Sequence, residues 1–226
     1  MGANVAVQQP DQGEVVTIPL TAGVHAAFGD SVFVGEDKTP GRFRKTQNWI
    51  GPPGTTIEDS TFVPPPVDAM EVALADWERY LHEDDGLPPL VRCALMHYQF
   101  ETIHPFLDGN GRLGRLLITF FLIQRGILAE PLLYVSPYFE RRRPEYYASL
   151  QSVRERGTFS EWIAFFLRAV ETQALDAVKR AESLLGLGEE YRRRLRERKV
   201  RGGALQLADH LIANPYVTTT RTADLL

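Results

Sequence analysis

Residues 104–115 read HPFLDGNGRLGR. These twelve positions hold one histidine, one aspartate, one asparagine, three glycines and two arginines. An apolar run, LLITFFLI, follows at 116–123. The run predicts a helix starting near Arg112, so Asp108 to Gly111 lie at its N-terminus. A helix N-terminus carries unpaired N–H groups and the positive end of the dipole. Gly109 and Gly111 let the backbone turn sharply and approach a ligand closely. Such a loop is an anion nest suited to phosphate oxygens. Asn110 can add a side-chain amide donor. Arg112 and Arg115 share one helix face and can clamp further phosphates. Asp108 is a hard oxygen ligand beside the nest, which suits Mg²⁺ on phosphate groups. His104 is the one side chain of the loop that takes a proton near neutral pH. The class of reaction implied is transfer of a phosphorus group from a nucleotide to a hydroxyl. DGNG alone reads as a turn; it is the twelve residues together that carry the functional reading. A zinc site from His97, His104 and Asp108 is the weaker alternative, because Pro105 and Gly109 break the helical spacing between the ligands. Phe106 reads as a core anchor for the loop.

Working outward, helices flank the stretch on both sides. VDAMEVALADWERYLHE (67–83) places apolar residues at 70, 74, 77 and 81, a period between 3 and 4. PPLVRCALMHYQFETI (88–103) is mostly apolar and reads as a helix buried on most sides. Gly126 closes the helix that follows the loop. SPYFERRRPEYYASLQSVRERG (136–157) reads as one further helix, N-capped by Ser136 with Pro137 in its first turn. TFSEWIAFFLRAVETQALDAVKRAESLLG (158–186) is a long amphipathic helix, with Thr158 and Glu161 in a capping-box pattern. Upstream, residues 29–66 are rich in Gly, Pro and Thr. They leave room for a hairpin around PPGTTIED, ended by the prolines after Val63.

The whole chain has 226 residues, 44% of them apolar and 24% charged, with a formal net charge of −4. That balance does not single out nucleic acid or membrane as the main partner. Cys93 is the one cysteine, so no intramolecular disulfide exists, as in a reducing compartment. No signal-peptide pattern or run long enough to span a bilayer is visible, and a cytoplasmic protein is expected.

The residues of 104–115 resemble the signature of the Fic family, HxFx(D/E)GNGRxxR, at every specified position. GEDKTPGRFRKTQNWIG, STFVPPP, HYQFETIHPF and SPYFERRRPEYY are also similar to the matching stretches of bacterial Fic/DOC-type proteins. The likeness covers roughly residues 35–185. It implies an all-α Fic-fold bundle with a small β-hairpin flap, and protein adenylyltransferase activity. AMP would pass from ATP to a Tyr, Ser or Thr hydroxyl of a protein, releasing pyrophosphate. By position, His104 would be the base and Asp108 would hold Mg²⁺. Gly109, Asn110, Gly111, Arg112 and Arg115 would bind the phosphates. Thr61, Phe62 and Val63 would belong to the flap that holds the target by strand addition. Tyr138, Tyr146 and Tyr147 lie where relatives build the adenine pocket, although Tyr146 and Tyr147 fit a packing role equally. Relatives commonly carry Asn at position 142, where this chain has Arg.

The resemblance leaves other reactions open: another phosphorus-group donor, or removal of AMP from targets. A third alternative is a nucleotide-sensing DNA-binding regulator. Relatives often carry an inhibitory helix, (S/T)xxxE(G/N), whose glutamate pairs with the second signature arginine, here Arg115. This sequence holds no such pattern, and nothing in it is expected to pair with Arg115. A truncated chain is the first explanation, ahead of a separate inhibitory partner or an unregulated enzyme. The expected organisation is a poorly ordered segment at 1–22, a Fic domain at 23–186, a basic linker helix at 187–203, and the start of a helix-turn-helix or winged-helix module at 204–226. Seven basic residues lie between Arg192 and Arg201 against one acid, Glu197. They read first as a solvated helix face and second as a contact to DNA.

Overall fold

The computed structural model describes residues 17, 21–24, 39–83, 85–200, 202–214, 216–220 and 222. Helix α1 spans Val67–His82, and its buried residues are Met70, Leu74, Trp77 and Leu81, the four that the spacing predicts. Helix α2, Pro89–Ile103, is buried on most sides, as its sequence requires. It packs against α1 and against α3, Asn110–Gln124. Buried indole N–H groups stitch the layers, because a buried donor needs an acceptor. Trp77 donates to the Met96 carbonyl at 3.1 Å, and Trp162 donates to the Ala94 carbonyl at 2.9 Å. α3 ends at Gln124, and Gly126 closes it in a left-handed conformation with φ 68°.

The single helix expected over 136–157 is two, α4 (Ser136–Arg141) and α5 (Arg143–Arg156). The break falls at Arg142, with φ −118° and ψ 33°. Pro144 explains it: the ring has no N–H to give and collides with the carbonyl four residues back. Ser136 is the first helical residue rather than the cap, and its hydroxyl accepts from Arg115 Nε at 3.1 Å. Helix α6 runs unbroken from Phe159 to Glu197. The amphipathic helix and the basic linker helix of the sequence reading are therefore one element. Thr158, just before it, shares a 2.5 Å hydrogen bond with Ser152 Oγ.

The chain divides into two compact units, residues 1–171 and 172–226. In the second, α7 (Gly203–Ala213) pairs with the end of α6 through Arg192 and Asp209 at 2.7 Å. Arg193 and Arg194 are paired with Glu197 and Glu190. Residues 219, 220 and 222 are helical, while Pro215 of the expected turn lies outside the described residues. The poor order expected over residues 1–22 likewise falls almost wholly outside them.

Among the described residues the fold is all-α. The expected hairpin reduces to one antiparallel bridge, Ile50 to Phe62. Ile50 N–H donates to the Phe62 carbonyl at 2.8 Å, and Thr61 N–H to the Ile50 carbonyl at 2.8 Å. Prolines 64 to 66 stop the pairing there. No helix among the described residues is long and apolar enough to cross a membrane.

Candidate active site

α2 ends at Ile103, and His104 caps it in the left-handed region with φ 49°. A non-glycine residue holds that conformation only where its surroundings fix it. Here they do. The His104 carbonyl accepts from Arg44 Nε at 3.1 Å and from Asn48 Nδ2 at 3.4 Å. Arg44 N–H donates to the Pro105 carbonyl at 2.9 Å, and Asn48 Nδ2 also reaches the Phe106 carbonyl at 3.1 Å. The Arg44 guanidinium continues to the carbonyls of Thr46 and Pro65, and Arg44 is buried. Phe106 is fully buried, its ring 5.1 Å from that of Phe43, so it is the anchor its sequence suggested.

Asn110 closes the loop from the other side. Its Oδ1 accepts from Phe106 N–H at 2.9 Å, and its Nδ2 donates to the Phe106 carbonyl at 2.7 Å. Both ends of the amide are engaged within the loop, so the Asn110 side chain first serves to close it. What Asn110 offers an anion is its backbone N–H. Gly109 takes φ 81°, and α3 begins immediately after it, two residues earlier than expected. The N–H groups of Asn110, Gly111 and Arg112 are thus at the positive helix end. Asp108 Oδ1 accepts from Gly109 N–H at 2.6 Å, and Oδ2 faces Arg112 Nη2 at 3.3 Å.

The fit of Mg²⁺ can be tested on this donor set. No group of three or more His, Cys, Asp or Glu side chains among the described residues is arranged to hold an ion. Asp108 is a half-exposed carboxylate beside an anion nest. One carboxylate completed by nucleotide phosphate oxygens is the usual way proteins hold Mg²⁺, so the residues fit the ion in that mode. They do not fit zinc. His97 is fully buried, and both ring nitrogens are engaged, Nδ1 with the Gly114 carbonyl at 3.0 Å and Nε2 with Tyr146 Oη at 2.9 Å. A carbonyl can only accept, so Nδ1 carries the proton and Nε2 accepts from the tyrosine.

His104 differs. Its Nδ1 is buried and has no hydrogen-bond partner, although the nearby Glu101 carbonyl favours a proton on the ring. The residue keeps intermediate exposure, so the open edge of the ring is the Nε2 side. Burial lowers its pKa to about 4, helped by the charges of Arg154 and Arg44. The ring is therefore neutral at pH 7, the state a base needs.

Arg115 is not alone. Besides Ser136, it lies 4.0 Å from Glu140 Oε1. Its charge also acts on Glu101, whose pKa burial raises to about 7. Glu101 is buried, and its Oε1 has no hydrogen-bond partner. That oxygen sits over α3, 3.7 Å from where a Cβ on Gly111 would lie and 2.7 Å from one on Gly114. The absence of side chains at 111 and 114 is what admits the carboxyl.

The three tyrosines separate. Tyr138 and Tyr146 are core residues, 6% and 4% exposed; Tyr138 meets Phe165 edge-on, and Tyr146 stacks on Phe139 beside Trp162. Tyr146 packs in the core, and its hydroxyl bonds to His97. Tyr147 is 49% exposed, with Arg143 over its ring at 5.6 Å. Arg142 lies over Tyr138 at 5.1 Å.

Residues 23–122 match the model of the Fic/DOC family. The chain carries a Fic/DOC family domain. A Fic family protein from Desulfovibrio desulfuricans G20 superposes with a TM-score of 0.60 at 27% identity, over 73% of this chain and 48% of that one. Fic-1 of C. elegans, at 23% identity and a TM-score of 0.54, shares the fold. The curated relatives include protein adenylyltransferase Fic of Nematostella vectensis, 31% identical over 69% of this chain and 33% of its own length. Protein adenylyltransferase fic-1 of Caenorhabditis briggsae is 29% identical over 71% of this chain and 29% of its own. The chain spans about a third of the length of the curated relatives it matches. The whole signature of this Fic domain, 104–115, lies inside the matched region.

Sequence reading missed Arg44, Asn48 and Glu101 as shapers of the site. Their partners are up to 60 residues away or on the next helix, and no local periodicity marks them.

Proposed function

We propose that the chain is a protein adenylyltransferase, moving AMP from ATP to a Tyr, Ser or Thr hydroxyl of a target protein and releasing pyrophosphate. The observation that carries this is His104: a neutral histidine with one open edge, held rigidly one short loop before a bare helix N-terminus. The names of the relatives support the same chemistry. His104 Nε2 takes the proton from the target hydroxyl, and the oxygen attacks the α-phosphorus. The bond from that phosphorus to the pyrophosphate oxygen breaks, and pyrophosphate leaves. The N–H groups of Asn110, Gly111 and Arg112, with the guanidinium groups of Arg112 and Arg115, hold the phosphates in line. Positioning and fixed charge supply most of the rate in such transfers. Asp108 would hold Mg²⁺, which supplies charge neutralisation on the phosphates when bound. To receive phosphate, Arg112 and Arg115 exchange their present contacts with Asp108, Ser136 and Glu140 for nucleotide oxygens. Tyr147 is the exposed ring of the three and takes the adenine face. Thr61 to Val63 present an edge for the target segment.

Labelled ATP tests this. With label on the α-phosphate, the protein incubated with Mg²⁺ and a lysate labels a target; with label on the γ-phosphate it does not. Transfer of the γ-label instead would sink the proposal and make the enzyme a kinase. Three of the seven basic residues behind the DNA-binding alternative, Arg192, Arg193 and Arg194, pair with Asp209, Glu197 and Glu190 on an exposed helix face.

A further inference from the structure

The loop from Ile50 to Phe62 is closed by one bridge, and a lone bridge does not hold a loop in place. Its position must come from contacts with the helices. At its base, Gln47 Nε2 donates to the Pro64 carbonyl at 2.8 Å, and Arg44 reaches the Pro65 carbonyl. At the bridge itself, the contact is with Arg154 of α5. The guanidinium carbon of Arg154 lies 3.6 Å from the centre of the Phe62 ring. Cation–ring attraction acts out to about 6 Å, so this is a close stack.

The same guanidinium does more. Nη2 donates to the Glu101 carbonyl at 3.4 Å, and Nη1 to Gln151 Oε1 at 3.4 Å, while Nε is buried without a partner. Glu101 lies in the last turn of α2, where carbonyls lack intrahelical partners and the dipole is negative. A cation there is favourable, and it sits three residues before His104. One planar group therefore touches three things: the closing bridge of the loop, the C-terminal turn of the helix that carries His104, and α5. Lysine has a point charge and no plane, and cannot stack and reach a carbonyl in the same way.

We propose that Arg154 is a positioning residue that registers the target-holding edge at Thr61 to Val63 against His104. The inference rests on the reading of that edge as the docking place of a protein target. By fixing Phe62 to the end of α2, Arg154 sets the distance from a docked segment to the base. Its contacts are with Phe62, the Glu101 carbonyl and Gln151, and none is with the phosphate-side residues Asp108 to Arg112 or Arg115, so its effect falls on the protein substrate rather than on ATP.

Two measurements on the full chain test it, one needing no activity. In Arg154→Met, backbone amides of Ile50, Thr61 and Phe62 exchange with deuterium about tenfold faster, the factor expected from losing a desolvated cation–ring contact. Amides of α1 and α3 keep their protection. In AMP transfer, KM for the protein target rises about tenfold on the same basis, while KM for ATP stays within about twofold. Arg154→Lys recovers part of both effects. Phe62→Leu breaks the contact from the loop side, and so decides the matter if Arg154→Met folds poorly. Adding Arg154→Lys to Phe62→Leu brings no further rise in KM, because the ring contact is already gone. Unchanged exchange at Ile50, Thr61 and Phe62 would overturn the proposal, as would equal rises in both KM values. If the wild-type chain transfers no AMP, the functional reading fails, and the exchange measurement still reports whether Arg154 holds the loop.

Discussion

His97 and His104 leave the same helix seven residues apart, and burial keeps both rings neutral. Their surroundings differ. His97 is wedged among Phe139, Tyr146, Trp162 and Phe166, with a donor for one nitrogen and an acceptor for the other. Around His104 the partners belong to its backbone. Its carbonyl is clamped by Arg44 and Asn48, while Nδ1 has no partner. A buried polar group with every valence met stabilises a fold. One held by its backbone alone, with an open edge, is free to react. On the proposed reading the two histidines divide framework from chemistry within two helical turns.

The largest expected effect sharpens that division. His104→Ala lowers kcat for AMP transfer by roughly 10²- to 10⁴-fold, the usual worth of a general base, with the urea midpoint unchanged. His97→Ala does the converse. It leaves a cavity and strands the Gly114 carbonyl and Tyr146 hydroxyl, costing about 2–4 kcal/mol of stability. Chemical denaturation of the two variants measures both. A stable His97→Ala beside an unfolded His104→Ala would break the comparison.

Next in size is Gly114→Ala. Its Cβ would meet Glu101 Oε1 at 2.7 Å, Phe100 Cδ1 at 3.2 Å and His97 Cε1 at 3.3 Å. Overpacking of that kind costs roughly 1–3 kcal/mol, read as a lower thermal midpoint. Gly111→Ala costs less, because its nearest neighbour, at 3.3 Å, is the flexible end of Arg115.

Among the tyrosines, Tyr146→Phe removes the partner of His97 Nε2 and costs about 1 kcal/mol, with little change in KM for ATP. Tyr147→Ala does the reverse, raising KM for ATP with no loss in the unfolding midpoint.

The smallest effects are those of pH. Both histidines have folded pKa values, about 3 and about 4, below the 6.5 of an exposed ring. Each contributes stability that is full above pH 6.5 and is lost as pH falls toward those values. Glu101 runs the other way. Its folded value, about 7, lies above the usual 4.5, so its contribution is full below pH 4.5 and lost as pH rises through 7. His97→Phe should therefore flatten the acid side of a plot of stability against pH, and Glu101→Gln the side from pH 4.5 to 7. For AMP transfer, kcat/KM stays level from pH 8 to pH 6. A fall centred near pH 6.5 that persists in Glu101→Gln would mean that His104 titrates as an exposed histidine.

Much of this was legible in the sequence, and for a physical reason. Met70, Leu74, Trp77 and Leu81 mark α1 because one helix face meets the core, a local fact. HPFLDGNGRLGR carries its loop because the glycines and Asn110 act within four residues of one another. Pro144 was visible, but the break at Arg142 was masked by the strong helical pattern on both sides. The continuity of α6 through Gly186 and Gly188 was hidden too, because Gly188 is accommodated by close packing with Ile212, whose Cγ1 would lie 3.4 Å from a Cβ there. Tyr138, Tyr146 and Tyr147 look alike in sequence; the turn of α5 buries Tyr146 and exposes Tyr147, while Tyr138 is buried from α4. Arg44 and Arg154 were least legible. An arginine in the sequence reads as surface, and their value lies in carbonyls and a ring brought near by the fold.

The intact mass of a target protein incubated with ATP and Mg²⁺ tests the central claim, that His104 is the base for AMP transfer. Wild-type chain should add the mass of one AMP group, and His104→Ala, shown to be folded by its denaturation midpoint, should add none. An equal adduct from both proteins would contradict the account.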